Sequence, residues 1–226
     1  MKSPMVKTTK TTTMKTRIQF LGVAAGLALA TSAQAASVLV NNSSFEADVL
    51  GDGSLNVAAP TGWTWDTAGD GGYVGPFNPS SAHFTVGVPD GDNSLFQNGP
   101  ESVSQTLPTV LVADTLYTLT VAVGDRLDTT FSGYAIELFA GATLLAGIDS
   151  TTGPVPGNDS WTDVTLTYTS GSSVTADPLQ IRLRSLSDGT QTNFDNVRLD
   201  GTLVPEPSTA LLGGLGVLAL LRRRRR

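Results

Sequence analysis

The chain has 226 residues with 14 basic and 20 acidic side chains, one histidine and no cysteine, which excludes disulfides, thiolate metal sites, thiol catalysis and a multi-histidine zinc centre. The formal net charge of −6 hides a segregation: five basic residues precede position 20, five close the chain, and residues 46–200 hold four arginines, no lysine and 19 acids, a net of −15. Such a body repels nucleic acid and anionic lipid, and suits calcium, cationic partners or neutral sugars.

At the front, Lys2, Lys7, Lys10, Lys15 and Arg17 precede an apolar run over residues 20–30, and small residues lead to Ala33-Gln34-Ala35. This is the order of a secretory signal peptide with an A-x-A cleavage site after Ala35. The run of about eleven residues is too short to span a bilayer. Residues 14–35 form a complete leader by themselves, so Met14 is an alternative start. Residues 1–35 are therefore set apart from the body, 36–203.

The body alternates short β-rich runs with clusters of Gly, Asp, Asn, Ser and Pro, an all-β pattern. Strands are expected at 37–40, 62–65, 83–88, 94–97, 102–107, 115–123, 134–139, 143–146, 161–169, 179–183 and 193–199. Residues 48–60 and 69–79 read as loops, the second carrying Tyr73 and Phe77. In 115–123 the side chains of Tyr117, Leu119, Val121 and Val123 share a face, as do Val164, Leu166 and Tyr168 farther on, and Leu179, Ile181 and Leu183 after that. No helical period lasts three turns. Ten or so short strands in about 165 residues predict a two-sheet β-sandwich of the jelly-roll kind, and that length is enough for one core.

The chemistry open to such a body is narrow. A Ser-His-Asp triad would need His83, which falls in an expected strand with no nucleophile elbow nearby. The absence of lysine excludes Schiff-base chemistry. Paired carboxylates leave a glycosidase open, although most acids stand in turns, where backbone preference explains them. We therefore expect no enzyme. Asp90, Asp92, Ser94 and Glu101 occur at EF-hand spacing, but Leu95 stands where that loop needs glycine. Aromatic rings stack on pyranose faces while polar side chains bond the hydroxyls. The candidates for this are Trp63, Trp65, Tyr73 and Phe77, with Trp161 expected in the core.

The order of features resembles the galactose-binding-like jelly roll of many carbohydrate-binding modules. The residues concerned are NNSSFE at 41–46, Gly62-Trp63, the Gly-Asp-rich turn and strand at 90–97, YTLTV at 117–121 and FDNV at 194–197. The resemblance implies a structural calcium joining Glu46, Asp92 and Asp195, and a non-catalytic polysaccharide site.

The last segment begins with Val204, Pro205, Glu206, Pro207 and Ser208. Proline locks φ and lacks a donor, so no helix starts before Ser208 or Thr209. Residues 209–221 are apolar but for Thr209 and span roughly 20 Å as a helix, short of the ~30 Å hydrocarbon core. Five arginines, 222–226, follow; they can snorkel, and they hold this end on the cytoplasmic side. A buried C-terminal helix is the other reading, but consecutive arginines are poor core neighbours. The three parts in this order resemble the PEP-CTERM sorting signal of Gram-negative bacteria. That resemblance implies an exosortase as partner, transient residence in the inner membrane through a short helix, and a final place on the cell surface or in the extracellular matrix. The expected function is an exported matrix protein that binds polysaccharide. The alternatives are a purely structural or adhesive protein stabilised by calcium, and a small glycoside hydrolase.

Overall fold

Alternating apolar residues on strands with one buried face build two antiparallel sheets, packed face to face. The computed structural model describes residues 34–67, 72–187, 190–204, 214, 216 and 220–224. The leader up to residue 33, the Pro-Glu-Pro residues and Ser208 lie outside the described residues, as does part of the 69–79 loop.

The strands are β1 (Ala35–Val38), β2 (Thr64–Trp65), β3 (Tyr73–Phe77), β4 (Ser94–Asn98), β5 (Ser102–Val110), β6 (Thr115–Asp125), β7 (Tyr134–Ala140), β8 (Thr143–Asp149), β9 (Ser160–Thr169), β10 (Pro178–Ser185) and β11 (Gln191–Leu203). One sheet runs β3-β4-β11-β6-β9, with β1 also paired to β11; the other runs β2-β5-β10-β7-β8. The two-sheet sandwich expected from the strand pattern is the fold observed. The inward residues of β6, β9 and β10 are those the alternation selects: Tyr117, Leu119, Val121, Val123, Val164, Leu166, Leu179, Ile181 and Leu183 are all buried.

Two expectations fail for local reasons. Residues 73–77 form a strand rather than a loop. Gly75 is there because any side chain would collide with the Asn56 carbonyl oxygen, so the glycine marks a close approach and not a turn. The segment around His83 is a chain of turns rather than a strand. The Ser80 N–H donates to His83 Nδ1 at 3.1 Å, and the Ser80 hydroxyl lies at the same distance from that nitrogen. The imidazole thus closes a turn, and its Nδ1 accepts a main-chain N–H where a triad histidine would donate from Nδ1 to a carboxylate.

That turn segment folds back onto the outer face of the first sheet. Phe84 stacks on Trp161 at 4.6 Å, Trp161 Nε1 donates to the Gly87 carbonyl at 2.9 Å, and Thr85 bonds Asp159 through both its N–H and its hydroxyl. Trp161 is accordingly half-buried under a loop and not in the inter-sheet core. Of the tail, Gly214, Gly216 and 220–223 are helical. Among the described residues no helix is long and apolar enough to cross a membrane.

Candidate functional site

Two positions gather polar side chains where the sandwich is open. The first is built by the chain entering after β1, the turn before β4, and the bulge in β11. Phe45 is fully buried and has φ 61°, a strained value for a bulky residue. The reversal sends its ring into the core against Trp63, at 5.5 Å between centroids, and turns the next residue, Glu46, toward the 90–93 turn. Glu46 Oε1 accepts the N–H of Asp92 at 2.9 Å and that of Asn93 at 2.6 Å. Gly91, at φ 79°, lies directly beneath the carboxylate, and a Cβ there would strike it.

Asp195 arrives from the other side. The register of β11 against β6 shifts between Asp195 and Arg198, and Asn196 has φ 48°; this bulge re-aims the strand. Asp195 accepts the N–H of Asp90 at 2.9 Å and that of Asn196 at 2.6 Å, and Ser44 donates to Asp90 at 2.6 Å. Burial drives the Asp195 carboxyl pKa up to about 8, with the charges of Asp90 and Glu46 adding to the rise and the two main-chain donors opposing it.

The structure therefore brings Glu46 and Asp195 into one electrostatic neighbourhood, as the jelly-roll resemblance implies. Asp92 departs from its implied part. Its N–H serves Glu46 while its side chain is exposed, and the carboxylate beside Asp195 is that of Asp90. Among the described residues no three acidic or histidine side chains are gathered to hold a metal ion. The donor set still suits a hard cation in part. Asn93 is buried with Nδ2 donating to the carbonyls of Phe45 (3.1 Å) and Asp48 (2.9 Å), which leaves its Oδ1 without a partner. Beside this cluster opens a cleft of about 350 Å³ lined by Asp52, Asn78, Pro79, Val88, Gly91 and Asp92.

The second position is the edge where β2 and β3 end their sheets. Glu101 is buried, and its Oε2 accepts Trp65 Nε1 at 2.6 Å and the Thr67 hydroxyl. A side chain at Gly72 would collide with the same carboxylate. Trp65 and the segment leading into Tyr73 are thus held against one acid. Tyr73 is 54% exposed and Trp65 half-buried. The other two rings expected to meet sugar are elsewhere. Trp63 is buried against Phe45 with Nε1 on the Asn42 carbonyl. Phe77 is 1% exposed beneath Phe96, the His83 ring and the Arg126 guanidinium. Neither offers a free face. Sequence reasoning weighed both Glu101 and Asp90 only within the rejected EF-hand spacing, and missed the parts they play here.

The sequence profile described as HpiC1-like, HpiC1 cyclase, matches residues 36–200, and the PEP-CTERM protein-sorting motif matches residues 203–226. No curated protein matches the chain. Among solved structures, the apo form of a cyclase from Fischerella sp. is 28% identical with a TM-score of 0.69, over 76% of this chain and 98% of that one. The Stig cyclase Fisc from Fischerella sp. TAU, in complex with (3Z)-3-(1-methyl-2-pyrrolidinylidene)-3H-indole, is 26% identical with a TM-score of 0.69, over 76% of this chain and 100% of that one. The module TmCBM61 in complex with β-1,4-galactotriose aligns over 72% of this chain and 97% of that one, at 14% identity and a TM-score of 0.43, too distant to carry an argument about ligands.

Proposed function

Starting from a chain that belongs to the HpiC1-like cyclase family by its body and carries the PEP-CTERM sorting motif at its end, we propose an exported surface or matrix protein, sorted by an exosortase, whose sandwich binds polysaccharide without catalysis. Export across the inner membrane, removal of the leader and final display outside a Gram-negative cell belong to this reading. The observation that carries the sugar-binding part is the Trp65–Glu101 bond beside exposed Tyr73. The indole fixed by its own N–H and the exposed phenol on the neighbouring sheet edge are the rings that would meet a pyranose. No lysine crowds the body, and its acids favour a neutral glycan over an anionic one. Affinity electrophoresis of the exported protein through gels cast with neutral and acidic polysaccharides tests this. Retardation by a neutral polysaccharide, lost in Tyr73→Ala, is expected. Equal migration of wild type and Tyr73→Ala in every gel contradicts it.

Calcium belongs to the same reading as a structural ion. Glu46 and Asp195, with the unpartnered oxygen of Asn93, would supply oxygen donors, and the ion would supply the positive charge that two neighbouring carboxylates lack.

A catalytic reading is favoured by one observation. Burial pushes the Asp195 carboxyl up to about 8, so it would hold a proton at neutral pH, as a proton donor to a bound ligand must. The family's cyclases give this reading its ligand class, an indole. Titration calorimetry of the exported protein with 4-(1H-indol-3-yl)butan-2-one, the ligand of a 27% identical Fischerella sp. TAU cyclase, decides it: absence of binding removes the reading.

A further inference from the structure

Two of the body's four arginines share the outer face of the second sheet. The central strand of that sheet, β10, turns Gln180, Arg182 and Arg184 outward, while Leu179, Ile181 and Leu183 are buried in the core. Glu137 of β7 stands opposite Arg182 and serves both arginines: its carboxylate accepts Arg182 Nε at 2.6 Å and lies 3.9 Å from Arg184 Nη1. The Arg182 guanidinium also stacks on the Phe139 ring, 4.5 Å from its centroid. Arg184 has Ser102 on one side and Ala135 on the other, both too short to cover it. The remaining acids on this face are engaged elsewhere. Asp66, across β5, accepts the hydroxyls of Ser102 and Ser104, and Asp149, on β8 beyond Ala135, bonds Thr151. Arg126 and Arg198 are each hydrogen-bonded to an aspartate. Among the described residues the Arg184 guanidinium makes no hydrogen bond, and that of Arg182 uses only Nε.

We propose that this strip is a second glycan site, and that it takes the carboxylate of a uronic-acid residue in an acidic polysaccharide. A carboxylate matches the planar fork of a guanidinium with two parallel N–H···O bonds. Two neighbouring guanidiniums hold more donors than the single carboxylate of Glu137 can satisfy. Farther along the strand, Gln180 Nε2 lies 3.3 Å from Thr106 Oγ1 of β5. The Gln180 amide oxygen and the exposed Thr106 hydroxyl are groups that bond sugar hydroxyls. From Arg184 to Gln180 the strip is about 13 Å long. Charged and hydroxyl-bonding groups thus lie in line, which an extended sugar polymer uses and a lone acidic side chain of a protein does not. The net charge of the body opposes any polyanion at a distance. In about 0.15 M salt that repulsion is screened beyond about 8 Å, so the contact with the forks decides binding. The strip is separate from the Trp65–Tyr73 edge, since β5 stands between β2 and β10. It goes beyond the neutral-glycan reading by adding an acidic class on another face.

The test is biolayer interferometry of the exported protein in about 0.15 M salt, on immobilised polygalacturonate and on poly-glutamate. Wild type should bind polygalacturonate, and no binding overturns the proposal. Arg184→Gln should weaken that binding at least tenfold; an unchanged affinity overturns it. Arg184→Lys keeps the charge but loses the fork, so a loss of at least threefold is expected, and full binding by the lysine variant overturns recognition by a guanidinium. Glu137→Gln removes a negative charge beside both arginines, while its amide oxygen can still accept Arg182 Nε. It should tighten binding about threefold, a gain that misfolding cannot produce, and no gain overturns the proposal. Poly-glutamate held as tightly as polygalacturonate would make the partner an acidic protein and overturn the glycan assignment. Tyr73→Ala should leave polygalacturonate binding intact, and a loss shared with Arg184→Gln would overturn the separateness of the strip. Retardation by neutral polysaccharide should be the same for Arg184→Gln and wild type. If no neutral polysaccharide retards wild type while polygalacturonate still binds, the neutral-glycan reading fails and this site stands.

Discussion

The main-chain N–H of Asp90 donates to the side chain of Asp195 at 2.9 Å, joining positions 105 residues apart. It ties the turn before β4 to the bulge of β11, and through that turn to Glu46. Because burial and two neighbouring carboxylates raise the Asp195 pKa from 3.8 to about 8, the folded chain binds more protons than the unfolded one between those values. This group's contribution to stability is therefore complete below about pH 4 and falls as pH rises toward 8. Thermal melts in chelator should show Tm declining from pH 5 to pH 8.5, and Asp195→Asn should remove most of that slope. The same slope in the variant would assign the titration to another group.

Calcium acts on the same cluster in the opposite sense. An ion held by Glu46 and Asp195 would favour the ionised carboxylate. At a hundred times its dissociation constant it would add about 2.7 kcal/mol, a shift of a few degrees in Tm for a domain of this size. The shift should be larger at pH 8 than at pH 5 and mostly absent in Asp195→Asn. Superimposable melts with calcium and with chelator at pH 8 would dismiss the ion.

Gly75 tests the packing of β3. Its Cα hydrogens face the Asn56 carbonyl oxygen, and backbone on both sides leaves little to give way. Gly75→Ala should cost about 3 kcal/mol, at the upper end of overpacking effects. Gly87→Ala is a comparison in which no heavy atom lies within 4 Å of the new methyl, although φ is 74°. It should cost only the backbone strain, about 1 kcal/mol. Equal urea midpoints for the two variants would mean that the 54–58 loop yields freely.

The aromatic residues separate by the same logic. Trp63→Ala empties a buried site against Phe45 and should cost about 3–5 kcal/mol, with any loss of sugar binding following from unfolding. Tyr73→Ala should change stability by no more than about 0.5 kcal/mol and act on retardation alone. A large destabilisation by Tyr73→Ala would make it a packing residue.

Strands with one buried face were legible because period-two alternation is dictated by the pleat; the inward sets of β6, β9 and β10 follow directly. β3 was not legible. Its Tyr-Val-Gly-Pro-Phe sequence reads as a loop, and only the approach of the Asn56 carbonyl, a tertiary fact, explains the glycine. His83 was misplaced because its neighbours Phe84, Thr85 and Val86 have strand propensity, which the Ser80–His83 turn and the Phe84–Trp161 stack override. At the site, Glu46 and Asp195 were found through family likeness. The left-handed residues that aim them, Phe45 and Asn196, carry no such signal: phenylalanine rarely adopts positive φ, and Asn196 sits within what reads as an uninterrupted strand.

The tail is the proposed sorting determinant. The decisive measurement is surface accessibility of the exported protein, read by protease shaving of intact cells, for the full chain and for a chain ending at Leu203. The sandwich contains every strand up to Leu203, so the shortened protein should remain folded and soluble, with a Tm within about 2 °C of the full chain, yet be absent from the cell surface and recovered from the periplasm. Undiminished surface display of the shortened protein would contradict the account.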